Sequence, residues 1–347
     1  MIDIFALTAS EILAIPSDCP EQLFTGSKDK AHEEHKKLAT KWHPRIDTDD
    51  SSVSAHINAL YDLALKKLDE GTWSTPGRLR VTGLDGKVYE IRYKKHHVFE
   101  LGDVYIGDKI IAYSITKEAE DLFDSAVKII KGLRYADDTM KKEIGRFMPE
   151  ILAQNETVDR KILVLSKPPQ VISLRDVLDH FDGKFDPKHT AWVISRLYNI
   201  GCYLHYSKLT HNDISPDTIF IDPENHSVYL YGGWWYSTKV DQGYSALPER
   251  TVNFVPATLF KAGVATNQVD AELIHATGRE LLGDIYGVKL NKDTSIPKPM
   301  LNWLQTAGGD IRKEYDTWHT SILKQSFGPR KFVELHLKSE DIYKELV

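Results

Sequence analysis

Three groups of residues have types and spacings that could do chemistry. One surrounds a carboxylate, His211-Asn212-Asp213, with Thr218 five positions after the aspartate. Another pairs a cation with an acid: Lys128 ends the apolar run Ala126-Val127-Lys128, Glu143 follows fifteen positions later, and Glu150 lies one heptad beyond. The third is basic, with Lys36, Lys37 and Lys41 ahead of His43-Pro44-Arg45. A loop carboxylate is a candidate proton acceptor, and a lysine set against a glutamate serves either as an anion ligand or as a structural ion pair. Taken singly each is a weak signal, and their order along the chain carries the weight. Other chemistries lack their patterns. The fourteen histidines come without H-E-x-x-H spacing or accompanying Cys pairs, so no metal site is expected. Ser215 and Ser237 lack the G-x-S-x-G turn of a nucleophile elbow. The run Arg78, Arg80, Lys87, Arg92, Lys94 and Lys95 reads as a solvated sheet face, and nucleic acid is not expected as a partner.

These groups need elements to hold them. A chain of 347 residues argues for two domains, or one large domain with an appendage. With 41% hydrophobic and 27% charged residues it falls in the ordinary globular range, which sets disordered and fibrous readings aside. A net charge of −6 offers no general attraction to nucleic acid or acidic membranes. Two cysteines, Cys19 and Cys202, the lack of a secretory apolar segment and the lack of an apolar run near ~18 residues predict a soluble cytoplasmic protein with no membrane partner. Helical spacing runs from Asp29 to about Glu70 in two stretches: Ala31, His35, Leu38 and Trp42, then Val53, Ile57, Leu60, Ala64 and Leu68. Strand-like runs follow a turn-rich Thr72–Gly77 boundary: Arg78–Thr82, Lys87–Tyr93, Val98–Leu101, Lys109–Ile115 and Ser125–Ile130. Helical spacing returns over Met140–Leu152, and the remainder reads as mainly helical with short strands at Ile162–Leu165, Ile219–Ile221 and Val228–Tyr231. The fold class is therefore α+β: helices over 1–75, a linking hairpin over 76–96, a small antiparallel sheet with one helix over 97–167, and a larger helical part over 168–347.

Ser10–Ile15, Lys36 through Pro44, and Ile57–Tyr61 resemble the J domain of Hsp40 (DnaJ-type) co-chaperones. The resemblance implies a basic second helix, here Lys36, Lys37 and Lys41, and a His43-Pro44 loop that together engage an Hsp70-type chaperone. The family's loop aspartate is Arg45 in this chain, a reversal of charge, and Asp47 comes two residues too late. The expectation is docking to a protein partner without stimulation of an Hsp70 ATPase; the plainer alternative for the same lysines is a solvated helix face.

From Val98 to Phe332 the chain resembles the protein kinase fold. The marks occur in order: Ala126-Val127-Lys128, Glu143, the run Lys161–Ser166, the segment Ser173–Leu178, the stretch Ala191–Leu209, the loop around Asp213, and Val269-Asp270 through Leu281. The resemblance implies that Lys128 ends a strand and holds the phosphates of ATP, with Glu143 as its ion-pair partner. It makes Asp213, beside His211, the catalytic base or a vestige of one, and lets Asp270 anchor that loop. Gly102 through Gly107 would be the phosphate-covering loop, with Val104 in place of its middle glycine. The metal positions depart from the family. Thr218 stands where an asparagine is expected, and Gly232-Gly233-Trp234 where Asp-Phe-Gly is expected. Losing the metal carboxylate costs several kcal/mol of transition-state stabilisation, or orders of magnitude in rate. The resulting expectation is a pseudokinase that acts as an adaptor or regulatory scaffold. ATP stays a candidate ligand, Mg²⁺ is left without its ligands, Trp234 and Trp235 fill or cap the cleft, and another kinase or its substrate is a further candidate partner. The competing reading is an atypical ATP-dependent Ser/Thr protein kinase that uses Lys128, Glu143 and Asp213 with a rearranged metal site.

Overall fold

The computed structural model describes residues 4–43, 51–73, 77–329 and 333–343. The chain is an α+β protein that divides into two compact units, parting between Lys95 and His96. Among the described residues no helix is long and apolar enough to cross a membrane.

In the first unit, α1 (Ala9–Leu13), α2 (Lys28–Lys41) and α3 (Ser51–Asp69) precede a hairpin of β1 (Arg78–Thr82) and β2 (Val88–Arg92). A capping box starts α1, where the Thr8 hydroxyl accepts from the Glu11 N–H and the Glu11 carboxylate accepts from the Thr8 N–H. Ala31 and Leu38 on α2 and Val53, Ile57, Leu60 and Ala64 on α3 are wholly buried in one core. Their spacings of three, four and seven put them on one stripe of each helix. Two histidines bind the same helices together: His35 stacks on Tyr61 at 4.0 Å and bonds Asn58 Oδ1 at 2.8 Å, and His32 Nδ1 meets the Tyr61 hydroxyl at 2.9 Å. Lys41, expected on a partner-facing surface, donates to the carbonyls of Phe5 at 2.7 Å and Leu7 at 3.2 Å. Lys37 lies 5.3 Å over the Phe5 ring, whereas Lys36 is exposed. His43 is exposed just beyond α2; Pro44 and Arg45 lie outside the described residues. In the hairpin one carboxylate, Glu90, draws in Arg78, Arg80 and Arg92 at 3.9, 3.0 and 3.3 Å, so this basic face is partly neutralised by its own strand.

The second unit opens with β3 (Lys95–Phe99), β4 (Gly102–Ile106) and β5 (Ile110–Thr116), continues through α4 (Glu120–Lys131) and α5 (Asp138–Ile144), and returns to β6 (Ile151–Glu156) and β7 (Arg160–Ser166). These strands form one five-stranded sheet of order β3-β4-β5-β7-β6. After it come β8 (Ile172–Ser173), α6 (Leu174–His180), the long α7 (Pro187–Tyr206), β9 (Leu209–Thr210), β10 (Ile219–Asp222), β11 (Ser227–Leu230), β12 (Thr238–Lys239), α8 (Glu249–Phe254) and α9 (Asn267–Leu281). Short antiparallel pairings, β8 and β11 flanking β10 and β12 on β9, frame the loop between β9 and β10.

Three sequence expectations are corrected here. Ser125–Ile130 is no strand but part of α4, because Phe123, Ala126, Val127 and Ile130 are buried at helical spacing while Lys128 is exposed. Acidic Glu120 and Asp121 at its start and Lys128 and Lys131 at its end suit the helix dipole. Gly102 to Gly107 is no open phosphate loop: Gly102–Ile106 is strand β4, Gly107 closes the turn to β5 by donating to the Ile110 carbonyl, and a Cβ on Gly102 would stand 2.1 Å from the Ser114 carbonyl oxygen. Met140–Leu152 is helical only as far as Ile144; a 3₁₀ turn follows, and Pro149 precedes β6.

The α2/α3 core sets a stability expectation. Leu38→Ala should destabilise the first unit by about 2–5 kcal/mol, read as an earlier unfolding transition of the full chain in urea. A change below about 0.5 kcal/mol would contradict this packing.

Candidate functional site

The loop from His211 to Thr218 is held from several sides. Asn212 sits in the left-handed region at φ +65°, an uncommon conformation for a residue other than glycine. Asp270 on α9, wholly buried, accepts from the backbone N–H of His211 at 2.9 Å and of Asn212 at 2.9 Å. Thr251 donates to the Asn212 carbonyl at 2.6 Å, Thr277 to the Ile214 carbonyl at 3.1 Å, and Asn212 Nδ2 to the Tyr236 carbonyl at 2.9 Å. The loop-anchoring role expected of Asp270 is what the geometry shows. Burial raises its pKa to about 6, against the two backbone donors that favour the anion.

Thr218 and His211 belong to the same scaffold. The Thr218 hydroxyl donates to the Asp213 carbonyl at 2.6 Å and accepts from the Ser215 N–H at 3.1 Å, so it is spent on the loop backbone and is not available as a metal ligand. His211 is wholly buried; its Nε2 donates to the Gly232 carbonyl at 2.9 Å, and its ring stands edge-on to Trp234 at 5.1 Å. Burial pulls the imidazole down to about 3, which keeps it neutral. Its place is positional.

Asp213 is left facing a cavity of 440 Å³. Its carboxylate is nine-tenths buried and makes no hydrogen bond or ion pair among the described residues. Burial pushes its pKa well above the usual carboxylate range, a rise opposed by the nearby Arg250. Around it the cavity is walled by Phe99, Tyr113, Trp235 and Tyr236. Trp235 stacks on Phe99 at 5.1 Å and meets Tyr113 edge-on at 4.9 Å. Trp234 turns away and donates from Nε1 to the Leu230 carbonyl at 2.9 Å. Of the two tryptophans flagged by the sequence, Trp235 enters the cleft and Trp234 props its floor.

The second sequence group is not assembled. Lys128 on α4 and Glu143 on α5 are both exposed and form no ion pair with each other, and neither lines the cavity. Glu150 lies beyond α5, just ahead of β6, and is likewise exposed. The expected lysine–glutamate pair fails because Lys128 rides a helix whose buried stripe excludes it. Gly102 and Gly107 also stay out of the cavity; the turn that reaches it is the preceding Phe99-Glu100-Leu101, through Phe99 and Glu100.

Gly232 and Gly233 pass close to the loop. A Cβ on Gly232 would lie 2.9 Å from the Tyr113 hydroxyl and 3.0 Å from Thr218 Cα; one on Gly233, at φ +78°, would lie 2.6 Å from His211 Cε1 and 2.8 Å from Asp213 Oδ2. No side chain fits at either position without displacing the loop. Among the described residues no group of three or more His, Cys, Asp and Glu side chains is placed to hold a metal ion.

The sequence missed Tyr113, Glu100, Arg175 and Arg250. The rim pairs Arg175 with Asp217 at 2.8 and 2.9 Å and with Glu280 at 2.7 Å, while Arg250 meets Glu280 at 2.5 Å. Tyr113 sits in an apolar strand with no motif to mark it, and the arginines act through partners far away in the chain. No protein-family model matches the chain.

Two outcomes test this geometry. Gly233→Ala should destabilise the second unit by at least about 1–2 kcal/mol from the left-handed backbone alone, seen as a lowered Tm; an unchanged Tm would refute the close approach. Asp270 holds a proton in the folded chain between pH 3.8 and about 6 that the unfolded chain has released, so its contribution is present at low pH and lost as pH rises toward 6. His211, depressed by burial, works oppositely in the same range, so the comparison must isolate Asp270. Relative to Asp270→Asn, the natural chain should lose stability between about pH 4 and about 6 and level off above. A pH-independent difference in urea unfolding would contradict the assignment.

Proposed function

We propose that the second unit is a two-lobed kinase-like fold whose cleft binds a ligand without transferring phosphate, and that the whole chain is an adaptor or regulatory scaffold carrying a degenerate J-like module in its first unit. The observation that carries this reading is Gly232-Gly233, packed so closely on Tyr113, Thr218, His211 and Asp213 that neither position has room for a metal-binding carboxylate. Supporting it, Lys128 and Glu143 are exposed on helices, the Thr218 hydroxyl is engaged by its own loop, and Phe99 and Trp235 pack together in the cleft. Phosphoryl transfer depends on positioning and charge neutralisation, and neither Lys128 nor a carboxylate at Gly232 or Gly233 stands in the cleft to supply it. A loop pinned by Asp270 and an ordered cavity remain, which suits recognition. The proposed setting is the cytoplasm, consistent with Cys19 and Cys202 both being free. The proposed partners are proteins, an Hsp70-type chaperone or another kinase or its substrate.

One observation favours the competing reading of an atypical ATP-dependent kinase: the Asp213 carboxylate faces the cleft without a partner. The two readings part in a radiolabelled-ATP assay at high protein concentration. No phosphate transfer sensitive to Asp213→Asn is expected, and ATP with or without Mg²⁺ should leave Tm unchanged, whereas a ligand at 100 Kd would add roughly 2.7 kcal/mol. Transfer abolished by Asp213→Asn would establish the kinase instead. For the first unit, the natural chain should not stimulate an Hsp70 ATPase while Arg45→Asp should; stimulation by the natural chain would reject a docking-only role.

A further inference from the structure

We infer that the cleft beside Asp213 receives an organic cation, a protonated or quaternary amine on a compact apolar body. The inference rests on reading this cleft as a binding site and names the class of its ligand. Three independent features lead there.

The walls come first. Phe99 and Trp235 stack at 5.1 Å, Tyr113 stands edge-on to Trp235 at 4.9 Å, and Tyr236 completes the lining. Aromatic faces attract ammonium groups through the ring quadrupole, most strongly where water is excluded. Charge comes next. Four lining carboxylates, Glu100, Asp179, Asp213 and Asp217, stand against two guanidiniums, Arg175 and Arg250, which leaves a formal −2. Arg175 is taken up by Asp217 and Glu280, and Arg250 ion-pairs with Glu280 while its Nε and Nη2 make no hydrogen bond. Glu100 accepts from the Tyr236 hydroxyl at 2.9 Å. Asp179 is exposed to solvent, whereas Asp213 is nine-tenths buried and makes no hydrogen bond or ion pair among the described residues. A buried carboxylate with no hydrogen bond is costly even with Arg250 nearby, and an ammonium seated against the rings would give it the direct partner it lacks.

Size and donor chemistry narrow the class. At 440 Å³ the cavity suits a small organic molecule, and no grouping of metal-ligating side chains accompanies it among the described residues. A polyphosphate would bring further negative charge to a cavity whose lining carboxylates already outnumber its guanidiniums.

The test uses the full-length protein with choline and benzyltrimethylammonium as probes, 3,3-dimethylbutanol as the neutral counterpart of choline, and ATP with Mg²⁺ in a parallel arm. The quaternary ammonium probes should raise Tm and change tryptophan fluorescence saturably, while the alcohol should do neither. Asp213→Asn should weaken the cation at least about tenfold. Trp235→Leu should do the same, and Glu100→Gln serves as the second variant should Trp235→Leu fail to fold. An equal response to the neutral alcohol, an Asp213→Asn variant that binds as well as the natural chain, or no response up to about 10 mM cation overturns the inference and leaves the non-catalytic reading standing. Binding of ATP with Asp213-dependent phosphate transfer overturns the non-catalytic reading itself.

Discussion

The wholly buried Asp270 carboxylate on α9, hydrogen-bonded to two consecutive backbone N–H groups at His211 and Asn212, is the constraint on which the cleft depends. Asn212 holds a left-handed backbone that costs energy for any residue but glycine, and an anion aimed at both amides offsets that cost. Once the turn is held, the direction of Asp213 is set. Thr251, Thr277 and Thr218 then hold the carbonyls of residues 212, 214 and 213, so the loop's backbone is accounted for from α8, α9 and its own downstream end. A carboxylate left unpartnered in such surroundings persists only because the scaffold around it is over-determined.

The floor of the cleft follows from that scaffold. With His211 donating to the Gly232 carbonyl and Asp213 beside Gly233, the β11-to-Trp234 connection passes too close for a side chain. Glycine there leads the chain directly into Trp234 and Trp235, one bonded to the Leu230 carbonyl and the other stacked in the cavity. The close approach that leaves no room for a side chain at Gly232 or Gly233 also brings the aromatic wall to Asp213.

Much of the fold was legible in the sequence. The α2/α3 pair declared itself through Ala31, Leu38, Val53, Ile57, Leu60 and Ala64 at helical spacing, and the hairpin through the strand-like runs Arg78–Thr82 and Lys87–Tyr93. The α+β class, the Asp213 loop and its tie to Asp270 were also readable, since they rest on local patterns and one ordered pair of motifs. The failures were local as well. Ala126-Val127-Lys128-Ile129-Ile130 is β-branched enough to imitate a strand, and only the burial of Phe123 three residues earlier shows the helical period. That one error misplaced Lys128 and with it the expected partner of Glu143.

By itself the sequence determined most of the elements and which carboxylate stands in a special loop, because periodicity, turn residues and short motifs act over a few residues. Tertiary structure alone decided what faces Asp213. Tyr113, Phe99, Trp235 and Arg250 come from four separate segments, and only packing brings them to one cavity. Whether a glycine is required or incidental was likewise decided in three dimensions, by atoms of Tyr113, Thr218 and His211 that lie within 3.2 Å of where a Cβ would stand at Gly232 or Gly233. Local energetics write themselves into neighbouring residues; the chemistry of a cleft is the sum of long-range contacts, and no single stretch of chain contains it.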